Sequence, residues 1–275
     1  MPRVSQSLVE FALDLTPRPQ PGCLIDATEE RVVRLRPSWP IPGPNHVSRV
    51  RCTPRRAERV IDEARLLAAR HRLPLMWVED PGTEPKDLGQ RLRRRGVEPD
   101  HLDPEVTVMV LPAEARLEAA PGVEFQDGLG SLETFALAEA LQQEAFIGVA
   151  EELPLLTAQR RQRYQEALAT EGRRLLLALA GGRPAGVGWL TVEPGRGAWI
   201  NGGGVRPDQR GRGVYRSLVA ERLRLAREQG APGLAVSAGR MSGPILRRLG
   251  FEPVGWNRFY ADYRPAGGPE ALTKP

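Results

Sequence analysis

The residues Val205-Arg206-Pro207-Asp208-Gln209-Arg210-Gly211-Arg212-Gly213-Val214-Tyr215 are the part of this sequence best suited to hold a ligand. An apolar end, a proline turn, two glycines among arginines and the start of an amphipathic stretch read as strand end, loop and helix start. Backbone N–H groups at a helix N-terminus lack intrahelical partners and carry the positive end of the helix dipole, so such a junction cradles an anion. Gly211 and Gly213 permit positive φ and close approach of the backbone, while Arg210 and Arg212 add charge-assisted donors. A diphosphate suits this chemistry. The spacing has neither the Gly-Lys-Ser/Thr ending of a Walker loop nor the third glycine of a dinucleotide fingerprint.

The loop needs elements on both sides to hold it. Residues 174–180 (RLLLALA) and 185–192 (AGVGWLTV) are apolar runs of strand character, joined by Gly181-Gly182-Arg183-Pro184, a hairpin signal. Residues 198–205 (AWINGGGV) form a third strand whose glycines mark a bulge or leave room for a ligand against the backbone. Apolar residues then recur at helical spacing from Val214 to a stop at Gly230. A strand over 233–237, a short helix over 242–249, the step Gly250-Phe251 and an aromatic strand over 257–263 complete the pattern.

From about residue 123 to 263 this order, with the loop in its middle, resembles the GNAT superfamily of N-acetyltransferases. In that family an arginine–any–any–glycine–any–glycine/alanine loop binds the pyrophosphate of acetyl-CoA. Arg210, Gly213 and the Val205/Pro207 lead-in fit the signature, and Tyr215 stands where glycine or alanine is usual. The resemblance implies an α/β (α+β) fold, a GNAT-like mixed central sheet flanked by helices. It implies acetyl-CoA contacts from Gly204, Val205, Arg210, Gly211, Arg212, Gly213, Val214 and Tyr215, with Ser242 further along the cofactor.

The implied chemistry is direct transfer. A neutral amine attacks the thioester, amides near Gly204 and Val205 polarise its carbonyl, and an acid protonates the departing thiolate. Many family members use a tyrosine four residues before the final glycine as that acid, and here the position is Leu246. Water, a hydroxyl such as that of Ser242, or the acceptor nitrogen is left to supply the proton. Asn201 is the polar side chain of the third strand, a catalytic candidate for ordering a water or the acceptor, or else an inter-strand hydrogen bond. Residues 135–146 and 155–168 resemble the two helices that line the acceptor side. Glu144, Glu151 and Glu152 between them either hold an amine or are solvated.

Composition sets the wider frame. The chain has 275 residues, of which 41% are apolar, enough for one or two cores. No run reaches the length of a membrane span, and no basic segment with an apolar core marks the N-terminus for export. Cys23 and Cys52 are too few for a disulfide framework, and three scattered histidines make no metal cluster. A cytoplasmic, metal-free protein is expected. The net charge of +5 comes almost wholly from arginine, with Lys86 and Lys274 as the lysines. Arg222, Arg224 and Arg227 could form a DNA-facing helix, but interspersed acids favour a solvated face.

The segment 92–99 (LRRRGVEP) echoes 246–253 (LRRLGFEP), about one domain apart. Carried backwards, the same offset sets residues 50–54 opposite Val205 and Arg206, followed by a helix with Thr53 as N-cap and Pro54 at its first position, then a strand over 75–78. Ala57 and Arg59 fall where the loop glycines stand, so this copy has no phosphate loop. The fold is therefore expected twice in tandem. Residues 1–115 form a degenerate GNAT-like domain without cofactor, residues 120–265 the acetyl-CoA-binding domain, and residues 266–275 a flexible tail. The proline-rich stretch 39–46 belongs to an acceptor pocket or to a surface connection. The expected activity is transfer of an acetyl group to an amine of a small molecule or peptide. A non-catalytic acyl-CoA-binding regulator and a nucleic-acid-binding protein are the alternatives.

Overall fold

The computed structural model describes residues 4–147 and 154–267. Its first part contains α1 (Gln6–Leu13), β1 (Leu24–Ala27), β2 (Val32–Leu35), β3 (His46–Ser48), α2 (Ala57–Arg70), β4 (Leu75–Glu79), α3 (Leu88–Arg94) and β5 (Glu98–Pro99). Next come β6 (Glu105–Pro112), β7 (Val123–Asp127), α4 (Leu132–Ile147), α5 (Pro154–Ala158), α6 (Arg160–Leu168), β8 (Arg173–Ala180) and β9 (Arg183–Glu193). The last are β10 (Gly197–Val205), α7 (Val214–Glu228), β11 (Gly233–Ala238), α8 (Gly243–Arg248) and β12 (Glu252–Asp262). No described helix is long and apolar enough to cross a membrane.

The chain divides into two compact units, and both are discontinuous. One comprises residues 1–14, 108–152 and 164–254; the other comprises 15–107, 153–163 and 255–275. In the first the strand order is β6-β11-β10-β9-β8-β7, and in the second β1-β2-β3-β4-β12, with β5 also on β12. Consecutive spans of 1–115 and 120–265 do not describe this arrangement. The strand that follows α3, β6, lies beside β11, while β12, which follows α8, lies beside β4. Each unit thus takes its last strand from the other half of the chain, so the aromatic strand expected in the second domain completes the first. Residues 268–275 of the expected tail lie outside the described residues.

The repeated order strand, helix, strand, helix, glycine is present in both units, and both copies close in the same way. β3 runs parallel to β4 as β10 does to β11. After α3, Val97 N–H donates to Leu92 O at 3.0 Å and Gly96 N–H to Arg93 O at 2.9 Å; after α8, Phe251 N–H donates to Leu246 O at 3.1 Å and Gly250 N–H to Arg247 O at 3.0 Å. These are paired Schellman closures around a left-handed glycine. The start of α2 differs from expectation. Arg56 N–H donates to Thr53 O at 2.9 Å, so Thr53 and Pro54 belong to a tight turn and the helix begins at Ala57. Along α2, Ala57, Val60, Ile61, Ala64 and Ala68 make the buried face, the i, i+3, i+4 spacing of an amphipathic helix.

In the unit holding residues 164–254 the sheet has a core on each face. Leu176, Leu190, Ile200, Leu218 and Leu246 pack on the α7 side, and Leu175, Leu177, Val187 and Trp189 pack with Phe135 and Leu141 of α4 on the other. The alternation along β8 and β9 is the period of two expected of a sheet covered on both faces. The Gly181-Gly182 hairpin forms with φ of 57° and 73°, and it sets the register Ala180↔Arg183.

In the other unit β12 brings Asp262 into the core, where the carboxylate accepts from Arg65 Nε at 2.7 Å and from Trp77 Nε1 at 3.3 Å. Asp262→Ala should destabilise this unit by about 3–5 kcal/mol, because a nearly buried guanidinium and a buried indole N–H lose their acceptor. Urea unfolding of the full chain followed by tryptophan fluorescence measures it. A fragment ending at residue 115 lacks β12, leaves these donors without that acceptor and takes the Tyr260 hydroxyl from Glu79; it should show no cooperative thermal transition by circular dichroism.

Candidate functional site

The site is built around the far end of β10. Its parallel pairing with β11 consists of Ala198↔Leu234 and Trp199↔Ala235, while on the other side it stays paired to β9 as far as Val205↔Gly186. Between Asn201 and Gly204 the register with β9 slips by one residue, a bulge that re-aims the strand where it has left β11. The glycines there admit close neighbours: a Cβ on Gly204 would stand 2.6 Å from Ala145 Cβ, and one on Gly202 would stand 2.5 Å from Gln142 Nε2. α4 therefore lies directly on this stretch. Gln142 Oε1 also accepts from Trp189 Nε1 at 3.3 Å.

Past Val205 the chain turns through a single 3-10 turn, Pro207–Gln209, into the glycine loop. Gly211 and Gly213 both lie in the left-handed region, with φ of 78° and 80°. At Gly211 a Cβ would meet nothing within 4 Å, so glycine answers to backbone conformation and open space; at Gly213 it would come 2.7 Å from Ala120 Cβ as well. The first intrahelical bond of α7 runs from Ser217 N–H to Gly213 O, which leaves the N–H groups of Val214, Tyr215 and Arg216 ahead of it at the helix start. Ser217 Oγ accepts from Ala120 N at 2.7 Å and donates to Gly213 O at 3.0 Å, bracing the first turn from inside.

The arginines divide by task. Arg210 Nε donates to Val205 O and Nη2 to Ala145 O, each at 3.3 Å, which ties the loop to β10 and α4. Arg212 is exposed. Arg206 pairs with Glu144 at 3.5 Å and Asp208 at 3.4 Å. These last two pairs border a cleft of about 120 Å³ lined by Leu137, Ala140, Leu141, Glu144, Pro184 and Arg206. Glu144 thus meets a cation of its own chain; Glu151 and Glu152 lie outside the described residues. Asn201 is exposed beside the bulge. Val205 and Val214 belong to the core and offer the site their backbone only. Tyr215 is half-buried on α7, where burial pushes its phenol above the usual range.

Ser242 takes the N-cap position of α8, with Oγ 3.5 Å from Gly239 O. Leu246 is wholly buried among apolar side chains, so its position opens on the core rather than on a cleft. A phenol there would overpack the core, typically at about 1–3 kcal/mol. Of the helix-face arginines, Arg224 and Arg227 are exposed as expected and Arg222 is not. Arg222 is buried, Arg224 pairs with Glu221 and Glu228, and Arg227 donates to the carbonyls of Ala113 and Ala115. Sequence reasoning read Arg222 as solvated and missed Gln142.

The start of the corresponding helix in the other unit is built differently. Ala57 is fully buried, and Arg56 just before it makes a two-pronged pair with Glu30 at 3.0 and 2.7 Å. That pairing holds the Glu30 carboxyl below its usual range. The stretch 39–46 is a connection locked by buried Asn45, whose amide donates to Trp39 O and Ile41 O and accepts from Arg36 N–H.

Comparison with known proteins agrees with this geometry. Residues 135–251 match the model of the acetyltransferase (GNAT) family. Among solved structures, a GCN5-related N-acetyltransferase from Kribbella flavida is 17% identical with a TM-score of 0.63, covering 88% of this chain and 90% of its own. A tandem GNAT protein from the clavulanic acid biosynthesis pathway is 17% identical with a TM-score of 0.58, covering 93% of each chain. A GCN5-related N-acetyltransferase from Sphaerobacter thermophilus is 18% identical with a TM-score of 0.54, covering 86% and 81%. No curated protein matches the sequence significantly. With the splayed strand and the glycine loop at a helix start inside it, the matched stretch, residues 135–251, is a domain of the acetyltransferase (GNAT) family.

Proposed function

We propose that the chain transfers an acetyl group from acetyl-CoA to an amine, with the loop at α7 as the cofactor cradle. The observation that carries this reading is the conjunction at one end of β10: a strand that leaves its parallel neighbour, and a left-handed glycine loop that delivers three helix-start N–H groups beside it. Acetyl-CoA, when bound, supplies an activated acetyl thioester. The N–H groups of Val214, Tyr215 and Arg216 hold the diphosphate, and Arg212 adds positive charge from the rim. Arg210 keeps the loop on β10 and α4. The backbone of β10 from Asn201 to Val205 orients the pantetheine arm, with the amides near Gly204 and Val205 as donors to a carbonyl. Asn201, exposed beside the bulge, orders the acceptor or a water in this reading, and Ser242 is a further polar contact.

The acceptor is a small-molecule or peptide amine in this reading, with α4 forming one wall of its path. The unit that holds Ala57 and Arg56 binds no CoA and serves as a degenerate partner domain. A cytoplasmic location fits a cofactor that is abundant there. Catalysis with Leu246 in place of an acid is slow rather than absent, since a general acid contributes about 10²–10⁴-fold.

The cradle can be tested without disturbing the fold. Asparagine and aspartate tolerate the left-handed region, and the space beyond Gly211 is open. Gly211→Asp should weaken acetyl-CoA binding by about 1–2 kcal/mol through charge repulsion, with Gly211→Asn close to wild type. Calorimetry giving equal affinities for all three would remove the loop from the cofactor site. Release of CoA thiol from acetyl-CoA across a panel of amines tests the activity itself. Tight binding with no amine-dependent release would favour a non-catalytic acyl-CoA-binding protein.

A further inference from the structure

Arg222 is a charged side chain in the middle of an apolar core. It is 1% exposed on the inner face of α7, flanked there by Leu218, Val219 and Ala226. Nε donates to Leu218 O at 2.9 Å and Nη1 to Trp189 O at 3.3 Å. Nη2 is buried and has no hydrogen-bond partner among the described residues. The guanidinium faces β10, where a Cβ on Gly203 would stand 3.3 Å from Nη2 and 3.4 Å from Nη1. On β9, a Cβ on Gly188 would stand 2.9 Å from Nη1. Two glycines on neighbouring strands therefore keep room for a guanidinium, although an uncompensated buried charge opposes folding.

Among the described residues, no carboxylate contributes to the field at Arg222, and the titratable group whose charge reaches it is the Tyr215 phenol, which burial pushes above its usual range. Burial brings the guanidinium down to about 10, so it stays charged between pH 7 and 9.

We infer that Arg222 is a buried cation that stabilises negative charge on the thiol sulfur of CoA at the parted stretch of β10. The inference rests on the acyltransferase reading of this site. The loop and Gly203 lie at the same end of β10, beyond its last pair with β11, so an arm tethered at the loop and laid along the parted strand passes Gly203. Glycine leaves no side chain between arm and guanidinium. In the transfer, the amine nitrogen bonds to the carbonyl carbon, the C–S bond breaks with its electron pair on sulfur, and the nitrogen's surplus proton goes to water. Arg222 favours that sulfur anion by its field alone. The leaving group then departs as thiolate, without an acid at position 246.

The test reads ionisation of the sulfur rather than turnover. Affinities of the full chain for CoA and for desulfo-CoA are measured by calorimetry at pH 7, 8 and 9, in wild type, Arg222→Met and Arg222→Gln. In wild type the CoA to desulfo-CoA affinity ratio should rise at least ~2-fold from pH 7 to 9, towards the tenfold limit set by each unit of thiol pKa. In whichever uncharged variant gives a wild-type thermal melt, the ratio should stay flat. A flat ratio in wild type, or the same rise in a folded uncharged variant, overturns the role of Arg222 and leaves the acyl-CoA site standing. Binding of neither ligand by wild type overturns both.

Discussion

The geometry of the site depends on β10 being paired along its whole length on one side and only at its start on the other. A parallel neighbour normally satisfies the backbone of an inner strand, so a strand that leaves it must either be covered or present its amides to something else. Here the bulge between Asn201 and Gly204 turns the freed end, three successive glycines keep it thin, and α4 with Ala145 and Gln142 lies against one face. The parting of β10 from β11 also fixes the route of the chain beyond it. The loop has to leave β10 at Val205, cross by a proline turn and enter α7 close to the gap, and Arg210 secures that path by bonding both Val205 O and Ala145 O.

Strand exchange ties the architecture together along the chain. Because β6 follows α3 but lies beside β11, and β12 follows α8 but lies beside β4, neither half of the sequence carries all the strands of its own unit. The buried Asp262 shows the consequence in single contacts: a residue near the end of the chain accepts from Arg65 and Trp77 of the first half. Tyr260 does likewise, donating to Glu79 at 2.9 Å, while Glu79 also accepts from Gly89 N–H at the start of α3. The copy without a glycine loop therefore has a core specified in part by polar contacts supplied from elsewhere in the sequence.

Local chemistry made much of this legible. The Gly181-Gly182 hairpin, the β10 bulge glycines, the loop at Gly211 and Gly213, and the matching helix stops at Gly96 and Gly250 each reflect a backbone requirement that a few adjacent residues reveal. The exchange of β6 and β12 was not legible, because strand periodicity says which face is buried and nothing about which neighbour pairs. Thr53 and Pro54 mimic a helix start, but a turn closed on Thr53 O and the pull of Glu30 on Arg56 delay α2 to Ala57. The burial of Arg222 was legible in its position. The residue falls four residues after Leu218 and four before Ala226, squarely on the apolar face, and its charge alone made it look solvated.

The two helix starts show how one framework yields opposite relations to an anion. At α7 the chain places glycines of positive φ before the helix, leaves open space beyond Gly211, and sets only cations on the loop between Gln209 and Val214. At α2 it places a buried alanine first, and the carboxylate of Glu30 already rests on Arg56, with Arg59 and Arg31 adding to the field that holds it ionised. Positive charge at a helix start attracts whatever anion is available. Where the chain supplies a carboxylate itself, an external diphosphate meets both a neutralised arginine and a repelling anion. The same physics that supports reading α7 as a cradle supports reading α2 as a start satisfied by its own chain.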